Sequence, residues 1–242
     1  GELPPAGLGM SLLRELGPGA DAIAQAADRL LPGAFANPAR SVDVDVDLGG
    51  GRRLIGTVDQ VRDRAYVVPT FSKLSGKHRL QAWIALLALS AGTPASAGPW
   101  TAHAVGRGRS DGQVWSRGPI DPGIARTFLL ELVEVRDLGL RMPLAFSAKA
   151  SYDYAEQLHN LRGRREKLAL DKARKTFEEY NDNDDASIAL LYGPRPSLDI
   201  WLDAPAEEEV WQFAAEAESL PSRFGHTAMR VWRPALLAGG RR

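Results

Sequence analysis

The chain has 242 residues, 44% hydrophobic and 25% charged, which is ordinary globular material and enough for one large domain or two small ones. Its 30 basic and 30 acidic side chains cancel, so it lacks the overall basic surplus of a free-standing duplex-DNA binder. Cysteine is absent, which excludes disulfides, thiolate zinc, cysteine-ligated iron–sulfur clusters and a cysteine nucleophile.

Residues 11–31 carry helical spacing, with Leu12, Leu16, Ile23 and Leu30 among many alanines. The run Gly17, Pro18, Gly19 predicts that this stretch is split into two helices. Residues 41–48 alternate strictly, with Val42, Val44, Val46 and Leu48 on one face and Asp43, Asp45 and Asp47 on the other, as in a half-exposed strand. Gly49, Gly50 and Gly51 make a turn, residues 52–61 return as a second strand, and Asp63 and Arg64 turn the chain into a third strand at 65–71. Residues 41–71 therefore read as a three-stranded meander.

The apolar stretch 80–90 predicts a helix buried on most sides, and 92–99 a small-residue loop. Residues 101–105 and 113–115 read as short strands around a polar turn at 106–112. Asp121 and Pro122 open a helix to about Leu138, and Pro143 ends that unit. Residues 151–180 are highly charged, with Leu170, Ala173, Phe177 and Tyr180 at helical spacing. Residues 197–202 read as a short strand. A helix is expected after Pro205, opening on Glu207, Glu208 and Glu209, and a last one at 227–237, bent or shortened by Pro234. The sum is a mixed α/β fold around a small sheet.

The longest strongly apolar run, 82–91, is well short of the ~20 residues a membrane-spanning helix needs. No signal peptide opens the chain, so no membrane contact and a cytoplasmic location are expected. The chain begins at Gly1 without an initiator Met, which reads as a piece of a longer polypeptide or a processed chain.

Several constellations have plain structural readings. Asp43, Asp45 and Asp47 lie about 6.8 Å apart along a straight strand, whereas a divalent ion needs carboxylates converging within about 2.0–2.6 Å of one point. They read as a solvated strand face. The acidic run 181–185 starts like a calcium loop but lacks its glycine and distal glutamate, and reads as a polar helix exit. His78, His103, His159 and His226 are scattered and read as surface or packing residues, and no nucleophile elbow, phosphate loop or dinucleotide fingerprint is present.

One arrangement carries chemistry. Asp59 stands on the second predicted strand, Pro69, Thr70 and Phe71 on the third, Lys73 follows, and the next helix opens with Gln81 and Trp83. This order resembles nucleases of the PD-(D/E)XK type, in which an aspartate on one strand and an acid-x-lysine on the next hold Mg²⁺ and position the attacking water. Here Pro69 and Phe71 occupy the acid and lysine positions, so the layout is present and the chemistry is not. The site reads as degenerate at Asp59, Pro69, Phe71, Lys73 and Gln81, with no catalytic residue and no metal.

The ordered set of segments resembles the C-terminal domain of RecC, the gamma subunit of exodeoxyribonuclease V, the RecBCD helicase–nuclease. The similarity runs through residues 1–9, 43–61, 73–83, 170–180 and 223–237. It implies one RecC C-terminal domain over 1–242, divided into a helical lead-in (1–40), a meander and core helix (41–105), a turn and helix (106–150), and charged and C-terminal helices (151–242). The implied fold is RecB nuclease-like: a small mixed α/β sheet flanked by helices whose catalytic residues have degenerated. The implied role is non-catalytic, in double-strand-break repair and homologous recombination, packing on RecB beside RecD and helping to split or channel duplex DNA at its ends. The domain itself would use no cofactor, since Mg and ATP belong to the partner subunits.

Two segments suit DNA contact, by phosphate binding or by a wedge that unstacks base pairs. The first is the turn with Arg107, Arg109 and nearby Trp115. The second is 151–167, with Tyr152, Tyr154, Arg162, Arg164 and Arg165. Two other functions stay open. An active Mg-dependent nuclease would need an acid such as Asp47 or Glu131 to join Asp59, and a pure protein-interaction module would not touch DNA.

Overall fold

A computed structural model of the chain describes residues 7–108, 111–161, 166–180, 182–209 and 220–239. It divides into two compact units, one of residues 1–74 and 81–122, the other of 75–80 and 123–242. The described residues form five strands in one mixed sheet and seven α-helices.

In the first unit, helix α1 (Gly7–Leu30) precedes β1 (Arg40–Gly49), β2 (Arg52–Arg62) and β3 (Ala65–Pro69). Helix α2 (Gly76–Gly92, from residue 81) then leads to β4 (Thr101–Arg107) and β5 (Gly112–Arg117). The strands lie in chain order, antiparallel except for the parallel pair β3–β4, whose connection α2 supplies. The predicted meander is borne out. Val44, Val46 and Leu48 are buried and the three aspartates exposed, and Gly49, Gly50 and Gly51 all take positive φ in the turn.

Helix α1 packs on one face of the sheet, where Ile23, Ala26 and Ala27 meet Ala65, Val67 and Val105. Tyr66, between Ala65 and Val67, points to the opposite face and meets α2 through Gln81. At its far end α2 brings Gly92 so close to β1 that a Cβ there would lie 2.9 Å from Val44 Cβ. α1 is one helix, not two. Pro18 removes one backbone donor, but it sits on an exposed stretch where water can satisfy the freed carbonyl.

The second unit contains helices α3 (Pro122–Gly139, from residue 123), α4 (Ala148–Asn160), α5 (Glu166–Glu179), α6 (Ala186–Tyr192) and α7 (Arg223–Leu237). Its core is aromatic. Trp232 on α7 meets Tyr152 edge-on at 5.0 Å and donates its indole N–H to Ser151 Oγ (2.9 Å), while Trp201 stacks on Phe224 and packs on Phe177. Arg230 of α7 reaches two carboxylates of α3, Glu131 (3.0 Å) and Glu134 (2.7 Å).

The expected strand at 197–202 is instead a 3₁₀ turn, Leu198–Trp201. Ser197 Oγ accepts the Asp199 N–H and Glu178 accepts the Leu198 N–H, which together hold a tight turn and aim Trp201 into the core. After Pro205 the described residues show a 3₁₀ turn at Glu207–Glu209, and the rest of the expected helix lies outside them. α7 begins at Arg223 rather than residue 227, because Ser222 caps it by accepting the Gly225 N–H (3.1 Å).

Candidate functional site

The local backbone around Asp59 places the site. Gln60 adopts φ 61°, a left-handed conformation inside a strand, which bulges β2. β2 pairs with β3 only at Val61–Tyr66 and Arg62–Ala65, and Asp59 stands where the two strands part. Its exposed carboxylate accepts a hydrogen bond from Ser41 Oγ (2.6 Å) on β1.

Across this opening lies Tyr66, whose hydroxyl accepts a hydrogen bond from Gln81 Nε2 (3.1 Å). Burial pushes the Tyr66 hydroxyl above its ordinary pKa, the Asp59 charge adds to this, and the Gln81 hydrogen bond opposes it. Asp59, Tyr66 and Gln81 are thus one neighbourhood. The sequence reading missed Tyr66. Its signal was the period-2 alternation of β3, which sets Tyr66 on the α2 side of the sheet.

The positions that would supply acid-x-lysine follow a different course. β3 ends at Pro69, earlier than expected, because proline has no N–H to continue the ladder. Thr70 N–H then bonds Val105 O (2.8 Å) and Arg107 N–H bonds Ser72 O (3.0 Å). Phe71 turns its ring toward α1 and Arg107, with the guanidinium carbon 5.2 Å from the ring centroid. Lys73 is exposed beyond it.

Neither Pro69 nor Phe71 brings a side-chain oxygen to Asp59. The other carboxylates considered are engaged elsewhere: Asp47 accepts the Gly49 N–H (2.9 Å) and Glu131 is held by Arg230. Asp43 accepts from Thr57 (2.7 Å) and Asp45 pairs with Arg53 (2.6 Å). Among the described residues no three histidine or carboxylate side chains converge as a metal site would require.

In the acidic run, Asp184 pairs with Arg195, Asp185 caps α6 and Asp182 meets Lys149 and the Ala150 N–H. Burial outweighs these partners and raises the Asp182 pKa. Two of the histidines are structural. His103 bonds Ser116 (2.8 Å) and Thr101 (3.0 Å), with its pKa lowered by burial, and His226 bonds Leu220 O (2.9 Å).

Of the DNA-contact candidates, Arg107 closes β4 and is exposed. Trp115 on β5 keeps only 6% of its surface and lies under Arg117 (4.5 Å). Tyr152 and Tyr154 are both buried in the second unit, whereas Arg109, Arg162, Arg164 and Arg165 lie outside the described residues.

The model of the RecC C-terminal domain matches residues 1–159. The chain belongs to the RecC C-terminal domain family. It is 34% identical over 99% of its length to the RecBCD enzyme subunit RecC of Mycobacterium tuberculosis, and covers 21% of that protein. Over 126 residues, half of the chain, it is 44% identical to the RecBCD enzyme subunit RecC of Mycolicibacterium smegmatis, covering 11% of it. The chain thus spans about a fifth of the length of the tuberculosis relative. The match to the RecC C-terminal domain contains every residue of the Asp59 neighbourhood and the β4–β5 turn. Among the described residues of this family member, no helix is long and apolar enough to cross a membrane.

Proposed function

We propose that this chain is a nuclease-like domain that has lost its catalytic groups and serves a RecC subunit as a structural and DNA-guiding part. In this reading it acts in the cytoplasm within a RecBCD-type enzyme, exodeoxyribonuclease V, of which RecC is the gamma subunit. It packs on RecB beside RecD and helps split or channel duplex DNA ends for double-strand-break repair and recombination. Unwinding, ATP use and Mg-dependent cutting belong to the partner subunits.

The observation that carries the reading is the pair Pro69 and Phe71 where a PD-(D/E)XK enzyme needs an acid and a lysine, leaving Asp59 as a single carboxylate hydrogen-bonded to Ser41. A lone exposed carboxylate holds a hydrolytic cation poorly, and without the cation an attacking water stays near its bulk acidity. The element order α1, β1–β3, α2, β4 fits a degenerate nuclease core, and the family membership supports the RecC context. For DNA contact, the reading keeps Arg107 and Arg109 between β4 and β5, with Arg162, Arg164 and Arg165, and drops Trp115, which is buried under Arg117.

A Mg²⁺-dependent cleavage assay on the full chain, beside Asp59→Ala, tests the non-catalytic part. No Asp59-dependent cleavage is expected. Robust cleavage that disappears on Asp59→Ala would establish an active nuclease instead. Crosslinking a forked duplex into the assembled enzyme tests the guiding part, and a complete lack of adducts to this domain would make it a protein-interaction module only.

A further inference from the structure

Resting on that DNA-guiding reading, we propose that Phe71 is a stacking platform for an unpaired base, so that this face holds single-stranded rather than duplex nucleic acid. Phe71 is a large apolar ring left 40% exposed. Its exposure is built in, because four separate features fix the loop that carries it. Thr70 N–H and Arg107 N–H tie the loop to β4 through Val105 O and Ser72 O. Gly106 lets the loop lie against β4, where a Cβ would come 2.7 Å from Ser72 O and from Leu74 Cδ2. Gly19, inside α1, makes room for the ring itself, since a Cβ there would lie 3.2 Å from Phe71 Cε2.

A glycine inside a helix is destabilising relative to alanine, and here it sits where it receives one ring edge. The ring is therefore positioned rather than left over. Its neighbours are cationic: Arg107 lies over the ring at 5.2 Å, and exposed Lys73 is two residues along the same loop. An aromatic face beside basic groups is the arrangement that binds single strands, with the ring stacking on a base and the cations meeting phosphates. Within a duplex the bases stack on one another, so along its length it presents no free base face to such a ring, and a splayed strand does. Phe71 thus occupies the position of the missing lysine with a group that binds a strand without cutting it.

The test compares two single-stranded oligonucleotides of equal length, one of thymidines and one in which the central bases are removed, binding to the full chain. Phe71→Leu is expected to weaken thymidine binding about tenfold, within the roughly 5- to 150-fold that loss of one stacking contact produces. It should leave binding of the abasic strand unchanged. Phe71→Trp should retain binding, and Gly19→Ala, whose Cβ moves the ring by only a few tenths of an ångström, should cost less than Phe71→Leu. Circular dichroism of each variant establishes that it folds.

Equal thymidine affinity for the parent and folded Phe71→Leu overturns the proposal while leaving the guiding reading intact. If neither strand nor a forked duplex binds and Arg107→Gln has no effect, the guiding reading falls with it. If Phe71→Leu instead weakens assembly with the partner subunits at unchanged oligonucleotide affinity, the ring is a protein contact and the proposal is wrong.

Discussion

Replacing Arg230 by methionine tests how the second unit is held together. Arg230 on α7 is 11% exposed and clamps two α3 carboxylates, Glu131 (14% exposed) and Glu134 (38% exposed). Methionine keeps much of the stem's packing but removes the charge, leaving two negative groups one helical turn apart and one of them largely desolvated. Breaking a buried pair from one side costs about 3–5 kcal/mol. Glu134 is exposed enough to swing into water, so the expected loss is reduced to about 2–4 kcal/mol, reaching below that range. Urea unfolding followed by circular dichroism should show the midpoint falling by roughly 1 M at unchanged slope. The triple change Arg230→Met, Glu131→Gln, Glu134→Gln should recover most of the loss, because it removes the carboxylate charges that faced Arg230 as well. A loss under about 1 kcal/mol for Arg230→Met would refute the reasoning, since that is the worth of a solvated surface pair.

Acid sensitivity should depend on Glu156. Burial works to raise its pKa, but hydrogen bonds from Tyr152 and Lys172 and the charges of Lys172 and Arg79 outweigh it, so the net shift is downward. A lowered carboxylate stabilises the fold above its unfolded value, about 4.3, and that contribution is lost as pH falls through the folded value. Unfolding midpoints at pH 7 and pH 4 should therefore differ less for Glu156→Gln than for the parent. An unchanged difference would contradict this. Gly92→Ala at the end of α2 presses on Val44 at 2.9 Å and should destabilise by about 1–3 kcal/mol. Thermal unfolding of the variant reads the sign directly.

The meander was legible because residues 42–48 alternate without exception and three successive glycines, which take positive φ without steric cost, mark the turn at their end. The apolar run of α2 was equally plain. The single helix α1 was not, because whether a proline breaks a helix depends on what can satisfy the carbonyl it frees, and Pro18 faces solvent. The turn at Leu198–Trp201 was misread as a strand because a short mixed pattern cannot show that Ser197 and Glu178 take the local N–H groups. At the site, Asp59 on β2 and the lack of a side-chain carboxylate or amine at Pro69 and Phe71 could be read from the sequence. The partner of Tyr66 could not, since alternation puts Tyr66 on one face of β3 but does not say that Gln81 of the next helix meets it.

By itself the amino-acid order determined which side chains are available near Asp59, and hence that positions 69 and 71 carry a pyrrolidine and a phenyl ring with no polar side-chain atom to offer. It also determined the alternation and turns that make the strands, because those depend on neighbours along the chain. Only the tertiary structure decided that β2 parts from β3 at Gln60, that Tyr66 meets Gln81, and that Gly19 leaves room for the Phe71 ring. These outcomes join residues up to about fifty positions apart, and such contacts are chosen by packing and hydrogen-bond satisfaction in three dimensions, which no local pattern encodes.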